Sequence, residues 1–266
     1  ALQEIRLPES LTQIESGAFY GCTALTSVAV PGQVALLDSY LFSGCTSLKE
    51  VVLPESLTEI DYNAFNGCTA LSEIVIPDSV TAISGYAFRN CTALTSVTLP
   101  ASWETVGTGS YSDRSPFAGC AALTELTIPS GMESIPDYAF ADCTSLEQIQ
   151  LPEGLTKIGN DSFSGCSALR EIHLPESLTQ IENGAFNSCT ALTSVTLPGQ
   201  ITKLNPYVFS GCTALKEAVL PETLTEIDYY AFNGCTALPE IVIPDSVTAI
   251  SGYAFRECSA LTSVTL

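Results

Sequence analysis

Three residue types in this sequence could carry chemistry, and each recurs at fixed intervals. Glutamate returns on one column at Glu4, Glu50, Glu73, Glu125, Glu171, Glu217 and Glu240, with Ser or Gln at the remaining steps. Two carboxylates about 5 Å apart form the catalytic pair of a retaining glycosidase. Glu50 with Glu73, or Glu217 with Glu240, would supply such a pair if successive units stack. That chemistry also needs a pocket that raises one of the two pKa values, whereas a repeated array on an open face offers none. Glycoside hydrolysis is therefore the remote reading, the chain is read as non-enzymatic, and no catalytic residue is assigned.

Cysteine falls at positions 22, 45, 68, 91, 120, 143, 166, 189, 212, 235 and 258, a spacing of 23 with one interval of 29. An odd count excludes a complete disulfide framework within one chain. Stacked neighbours about 4.8 Å apart would also stand too far apart for a bond that brings Cβ atoms to about 3.8 Å. Zinc is disfavoured by the absence of C-x-x-C pairs. A column of reduced, buried thiols is expected. His173, the only histidine, has no second His at metal-ligand or triad spacing and is expected to be exposed. No Gly-x-Ser-x-Gly elbow or phosphate-cradling loop is present. No metal or cofactor is expected; Ca²⁺ between stacked carboxylates is the one ion these residue types would suit.

The elements that position these residues follow from the repeat. All eleven phenylalanines lie three residues before the cysteines, and ten cysteines have a proline nine residues later, Pro31 to Pro244. In one unit, Ile74 and Ile76 alternate with Glu73 and Val75, the period-2 signal of a strand with one face buried. Pro77 ends the strand because it has no N–H for a ladder. Leu57 and Ile60 suggest a second, inward-facing extended piece. Ala64-Phe65-Asn66-Gly67-Cys68 suggests one helical or 3₁₀ turn closed by its glycine. A single coil of this size cannot bury its own apolar face, whereas stacked coils share a continuous core. Parallel strands about 4.8 Å apart would build one sheet roughly 50 Å long.

The motif C-x-x-L-x-x-[IV]-x-[LI]-P-x-x-[LV]-x-x-I-x-x-x-A-F, which spans essentially the whole chain, resembles the BspA-like class of bacterial leucine-rich repeats. That resemblance implies a mainly β, α/β-class right-handed solenoid of about eleven coils. A parallel sheet would line its concave side, with short 3₁₀ turns and extended segments on the convex side. It also implies a secreted or cell-surface protein whose usual role is adhesion or protein binding. The fold transfers by such a likeness; the ligand does not.

A longer period overlies the short one. Residues 1–99 realign with 168–266 at an offset of 167, seven units plus six residues. A single solenoid over 1–266 is expected. Neither end carries a polar capping sequence, which suggests an excerpt of a longer protein. The extra residues lie at 108–116, where a loop bearing Tyr111 and Arg114 is either a drifted connection or a contact site. Trp103 shares the column of Leu57, Val80, Met132 and Leu155, so it reads as core rather than as an exposed binding anchor.

The outward strand positions set the functional expectation. Beside the glutamates run Val52, Val75, His173, Val219 and Val242, so Glu50–Val52, Glu73–Val75, Glu171–His173, Glu217–Val219 and Glu240–Val242 form an acidic face with small apolar steps. The formal charge is −20, from nine basic and 29 acidic side chains. That argues against nucleic acid, which is bound through Lys and Arg, and against anionic membrane surfaces. No run of about 18 apolar residues would span a bilayer. A basic protein or glycan outside the cell would suit this face. The same carboxylates would also keep a repetitive surface soluble and deter edge-to-edge association. A spacer that projects another domain from the cell is the competing expectation.

Overall fold

The computed structural model describes residues 2–106 and 115–265. They belong to two compact units, Ala1–Pro129 and Ser130–Leu266, each a parallel β-solenoid. Tyr111 and Arg114 lie outside the described residues.

In the strand segment the alternation read from the sequence holds. Ile74 and Ile76 are buried while Glu73 and Val75 face solvent. In the first unit Ser27–Ala29 pairs with Glu50–Val52, and Glu73–Val75 with Ser96–Thr98. In the second, Ser194–Thr196 pairs with Glu217–Val219, and Glu240–Val242 with Ser263–Thr265. These pairings join residues 23 apart in sequence, with side chains of one column side by side. The expected continuous sheet is thus divided into two-stranded pairs. In both units a division falls where two glutamates are neighbours, Glu50 beside Glu73 and Glu217 beside Glu240. Like charges directly opposite each other weaken strand pairing, and in the second unit Pro239 has no N–H to offer the adjacent strand. Glu171 to His173, expected as a strand, joins no ladder, although Ile172 is buried and Thr193 N–H still reaches Arg170 O at 3.1 Å.

After the strand the proline carbonyl closes a tight turn: Leu57 N–H donates to Pro54 O and Val80 N–H to Pro77 O, both at 3.0 Å. The second extended piece is a ladder of two-residue strands. Leu36–Leu37, Glu59–Ile60 and Ala82–Ile83 stack in the first unit. Lys203–Leu204, Glu226–Ile227 and Ala249–Ile250 stack in the second.

The phenylalanine segment differs from expectation, since no helix occurs among the described residues. Its N–H groups alternate instead. Ala64, Asn66 and Cys68 donate three residues back, closing successive turns, whereas Phe65 and Gly67 donate to Ala87 and Arg89 of the next coil at 2.7 and 2.8 Å. The switch comes from two left-handed residues four apart, Asn63 (φ 58°) and Gly67 (φ 73°). A helix would keep every amide inside its own coil; this backbone turns half of them into a third inter-coil ladder.

The core is a column of stacked rings. Phe19, Phe42, Phe65, Phe88 and Phe117 follow one another at 5.2–5.4 Å in the first unit. Phe140 to Phe255 do so at 5.4–5.6 Å in the second. Burying one such side chain contributes about 1.5–3 kcal/mol. The interval of 29 residues does not disturb the lattice, because Phe88 still stacks on Phe117 at 5.3 Å. Trp103 is buried as expected, edge-on to Phe117 at 6.2 Å, with its Nε1–H donating to Thr105 O at 2.7 Å.

All eleven cysteines are free thiols, buried except for half-exposed Cys22 and Cys258. Among the described residues nine of the thiols donate to the carbonyl of the phenylalanine one coil earlier, as in Cys68 Sγ to Phe42 O and Cys189 Sγ to Phe163 O, both 3.2 Å. Burial pushes the thiols up, Cys45 to about 11 and Cys120 and Cys212 to about 12. They act as hydrogen-bonding core residues, not as nucleophiles, which must ionise.

Candidate functional site

Each strand of the exposed face is held by its inward residue and by the proline turn that follows, so the outward residues are placed by the core beneath them. Ile74 and Ile241 are each 2 % exposed, while Val75 and Val242 beside them are 64 % and 62 % exposed. Val52 and Val219 are exposed as well. Leaving valines in water on a face lined by carboxylates is the feature that separates this surface from an ordinary solvated one.

In the second unit the structure brings four of the expected residues into one open groove. Glu217, Val219, Glu240 and Val242 line it with Lys216, Glu222 and the floor residues Ala218 and Ile241, around a volume of about 660 Å³. The groove lies over the division between Glu217–Val219 and Glu240–Val242. Ala218 occupies the inward position filled by Val51, Ile74 and Ile241 in other coils, so the floor is lower there. In the first unit Glu50 and Val52 line a smaller groove of about 230 Å³ with Glu4, Arg6, Ser27 and Ala29. Glu73 and Val75 are exposed on the neighbouring strand, outside that groove. Glu171 and His173 are exposed on the stretch without a ladder and line neither groove.

Lys216 and Glu222 were missed in the sequence because they sit at the rim, one position before the strand glutamate and one after the strand-ending proline. They become lining residues only where the strands part. Arg6 is legible in the column of outward residues but not as a groove residue, because alternation fixes the face it stands on and not the hollow it shares with Glu4 and Glu50.

Both grooves are open and lined by exposed carboxylates, whereas the acid of a glycosidase pair is raised by an enclosed apolar pocket. Among the described residues no group of three or more His, Cys, Asp or Glu side chains is arranged to hold a metal ion. No helix among them is long and apolar enough to cross a membrane.

Comparison with known proteins follows this geometry. A profile of the BspA type leucine-rich repeat region matches six copies over residues 1–116, 113–238 and 180–266. The chain belongs to the BspA-type leucine-rich-repeat family. It is similar to a leucine-rich repeat protein from Bacteroides ovatus, at 25% identity and TM-score 0.62, covering 100% of this chain and 81% of that one. It is also similar to a leucine-rich cell surface protein from Faecalibacterium prausnitzii, at 34% identity and TM-score 0.50, over 96% of this chain and 63% of that one. A third likeness is the leucine-rich repeat protein of T. pallidum, at 33% identity and TM-score 0.52, over 63% of this chain and 78% of that one. No curated protein matches the sequence significantly.

Proposed function

We propose that this chain is a non-enzymatic recognition module, exposed at the cell surface or secreted, whose Glu/Val strand face binds a basic extracellular protein or an amine-bearing glycan. The groove between Glu217–Val219 and Glu240–Val242 carries the reading, since it joins exposed apolar steps to a carboxylate rim. Valines give contact area and the glutamates select charge, a division of labour found in electrostatically complementary interfaces. The cell-surface description of the F. prausnitzii relative supports the location.

The test is a titration with octalysine followed by methyl NMR. Val219 and Val242 should shift saturably, with affinity falling about tenfold or more as salt screens the contact. Replacing Glu217 and Glu240 by Ser, the residue of the same column at Ser194 and Ser263, should abolish the shift without unfolding the chain. Methyls that never move, or move equally in the Glu→Ser variant, would remove the groove from the account.

A structural spacer is the second reading, and the 167-residue duplication favours it. Copying lengthens a rod without altering its chemistry. Ligand capture that maps to this face would refute it.

A further inference from the structure

A second surface lies on the turn edge, away from the glutamate columns. One left-handed position recurs two residues before ten of the core phenylalanines. It is filled by Gly17, Tyr40, Asn63, Tyr86, Tyr138, Asp161, Gly184, Tyr207, Tyr230 and Tyr253, with φ between 48° and 65°. Gly, Asn and Asp adopt that backbone readily, whereas a bulky ring does so at a conformational cost. In the second unit three successive coils nonetheless carry tyrosine. Their rings stack in parallel, Tyr207 on Tyr230 at 4.9 Å and Tyr230 on Tyr253 at 5.0 Å. Tyr207 and Tyr253 remain 45 % and 60 % exposed.

The two ends of this stack are chemically alike but differently filled. At one end the Arg256 guanidinium lies over the Tyr253 ring, 5.8 Å from its centre, and pairs with the Glu257 carboxylate at 2.9 Å. An aromatic face and a carboxylate there hold one guanidinium between them. At the other end the preceding coil carries Gly184, so the column places no side chain on the outer face of Tyr207. The Asp161 carboxylate leans into the space thus left, where a Cβ built on Gly184 would collide with Asp161 Oδ1. Asp161 enters no ion pair among the described residues, and burial together with Asp137 pushes its carboxyl up. A nearby cation would relieve both effects. The surrounding unit is anionic, with 16 acidic and five basic side chains in residues 130–266.

We infer that the slot over Gly184, bounded by the Tyr207 ring and the Asp161 carboxylate, receives an arginine side chain from a partner protein. The in-chain arrangement at Tyr253, Arg256 and Glu257 is its counterpart, with the guanidinium supplied by the partner instead of by the same coil. Arginine fits better than lysine because its planar group stacks on a ring while its edge donates to a carboxylate. The inference is independent of the strand-face reading, whose glutamates recognise charge without an aromatic platform.

The experiment uses the full chain with ring-labelled tyrosine and an acetylated, amidated Gly-Ser-Arg-Ser-Gly peptide, with lysine and citrulline versions as controls. The Tyr207 ring signal should shift saturably with the arginine peptide and at least about fivefold more weakly with either control. Tyr207→Asn and Asp161→Asn keep residues that tolerate the left-handed backbone, as Asn63 does. Each should weaken binding about tenfold while the melting temperature holds. The E217S/E240S variant should leave the Tyr207 response unchanged. A Tyr207 ring indifferent to arginine, an equal response to lysine, or full binding by Asp161→Asn would overturn the proposal.

Discussion

Residues 36–61 and 203–228 are one stretch of sequence met twice, and they solve the same electrostatic problem differently. In the first, Asp38, Glu59 and Asp61 share the edge of the two-residue ladder with Leu36. Burial and the charges of Asp61 and Asp38 push the Glu59 carboxyl up. In the second, Lys203 replaces Leu36 and Asn205 replaces Asp38. Lys203 Nζ reaches Glu226 at 3.2 Å and Asp228 at 2.9 Å. Burial of Asp228 would raise its carboxyl, but Lys203 and the Tyr229 N–H outweigh that and hold it below the usual range. The backbone register is the same in both places. Core and surface therefore vary independently in this repeat: the Phe, Cys and Leu columns set the coil, and the outward columns can be rewritten one residue at a time.

The largest expected effects are those the two copies should share. Phe65 and Phe232 are equivalent, each fully buried within a stacked column. Replacing either by Ala should cost about 3–5 kcal/mol in urea denaturation, and costs differing by more than about 1 kcal/mol would break the equivalence. Cysteine chemistry should be shared as well. Cys68 and Cys235 are equivalent and both buried, and burial pushes both thiols well above the ordinary range. Iodoacetamide at pH 8 should label either one roughly a hundredfold more slowly than in the urea-unfolded chain, as peptide mass spectrometry would show. Labelling at the rate of the unfolded chain would mean that the thiol column is not closed.

The smallest effect has a defined pH sign. Because the folded-state carboxyl of Glu59 is raised, ionising it costs native stability, and the cost disappears on acidification. Asp228 is depressed, so its contribution is present at neutral pH and is lost as the pH falls below about 4. Leu36→Lys should therefore stabilise the first unit by about 0.5–1 kcal/mol at pH 7 and by almost nothing near pH 3. Lys203→Leu should do the reverse in the second. Thermal melts at both pH values would test this, and a gain that persists at pH 3 would point to packing rather than charge.

The copies also show why some features were legible and others were not. Cys, Phe and Pro recur at every coil, so the spacing alone located the strand, the core column and the stop after the strand. Trp103 could be placed in the core by its column alone. The turn edge could not be read in the same way, because left-handed backbone is carried there by Gly, Asn, Asp and Tyr alike, and Tyr in that conformation has no sequence signature. The helical or 3₁₀ turn expected at Phe65 is instead a run of tight turns, because Asn63 as well as Gly67 is left-handed there. The groove was half legible: Glu217, Val219, Glu240 and Val242 follow from alternation. Its depth comes from Ala218 in place of Val51 and from Pro239 in place of Ser72, single departures whose effect depends on the neighbouring strand. The thiol bonds to the phenylalanine carbonyls are invisible in sequence, being set by the step between coils.

The central claim is that the Glu/Val strand face recognises a macromolecule, and an array of extracellular-matrix proteins and glycans tests it most directly. The chain would be probed at physiological salt beside a variant with Ala at Glu50, Glu73, Glu217 and Glu240. The account predicts capture of one or more basic ligands by the chain and its loss in the variant. Capture that survives all four substitutions, or no capture by either protein, would contradict it and leave the spacer as the function of this segment.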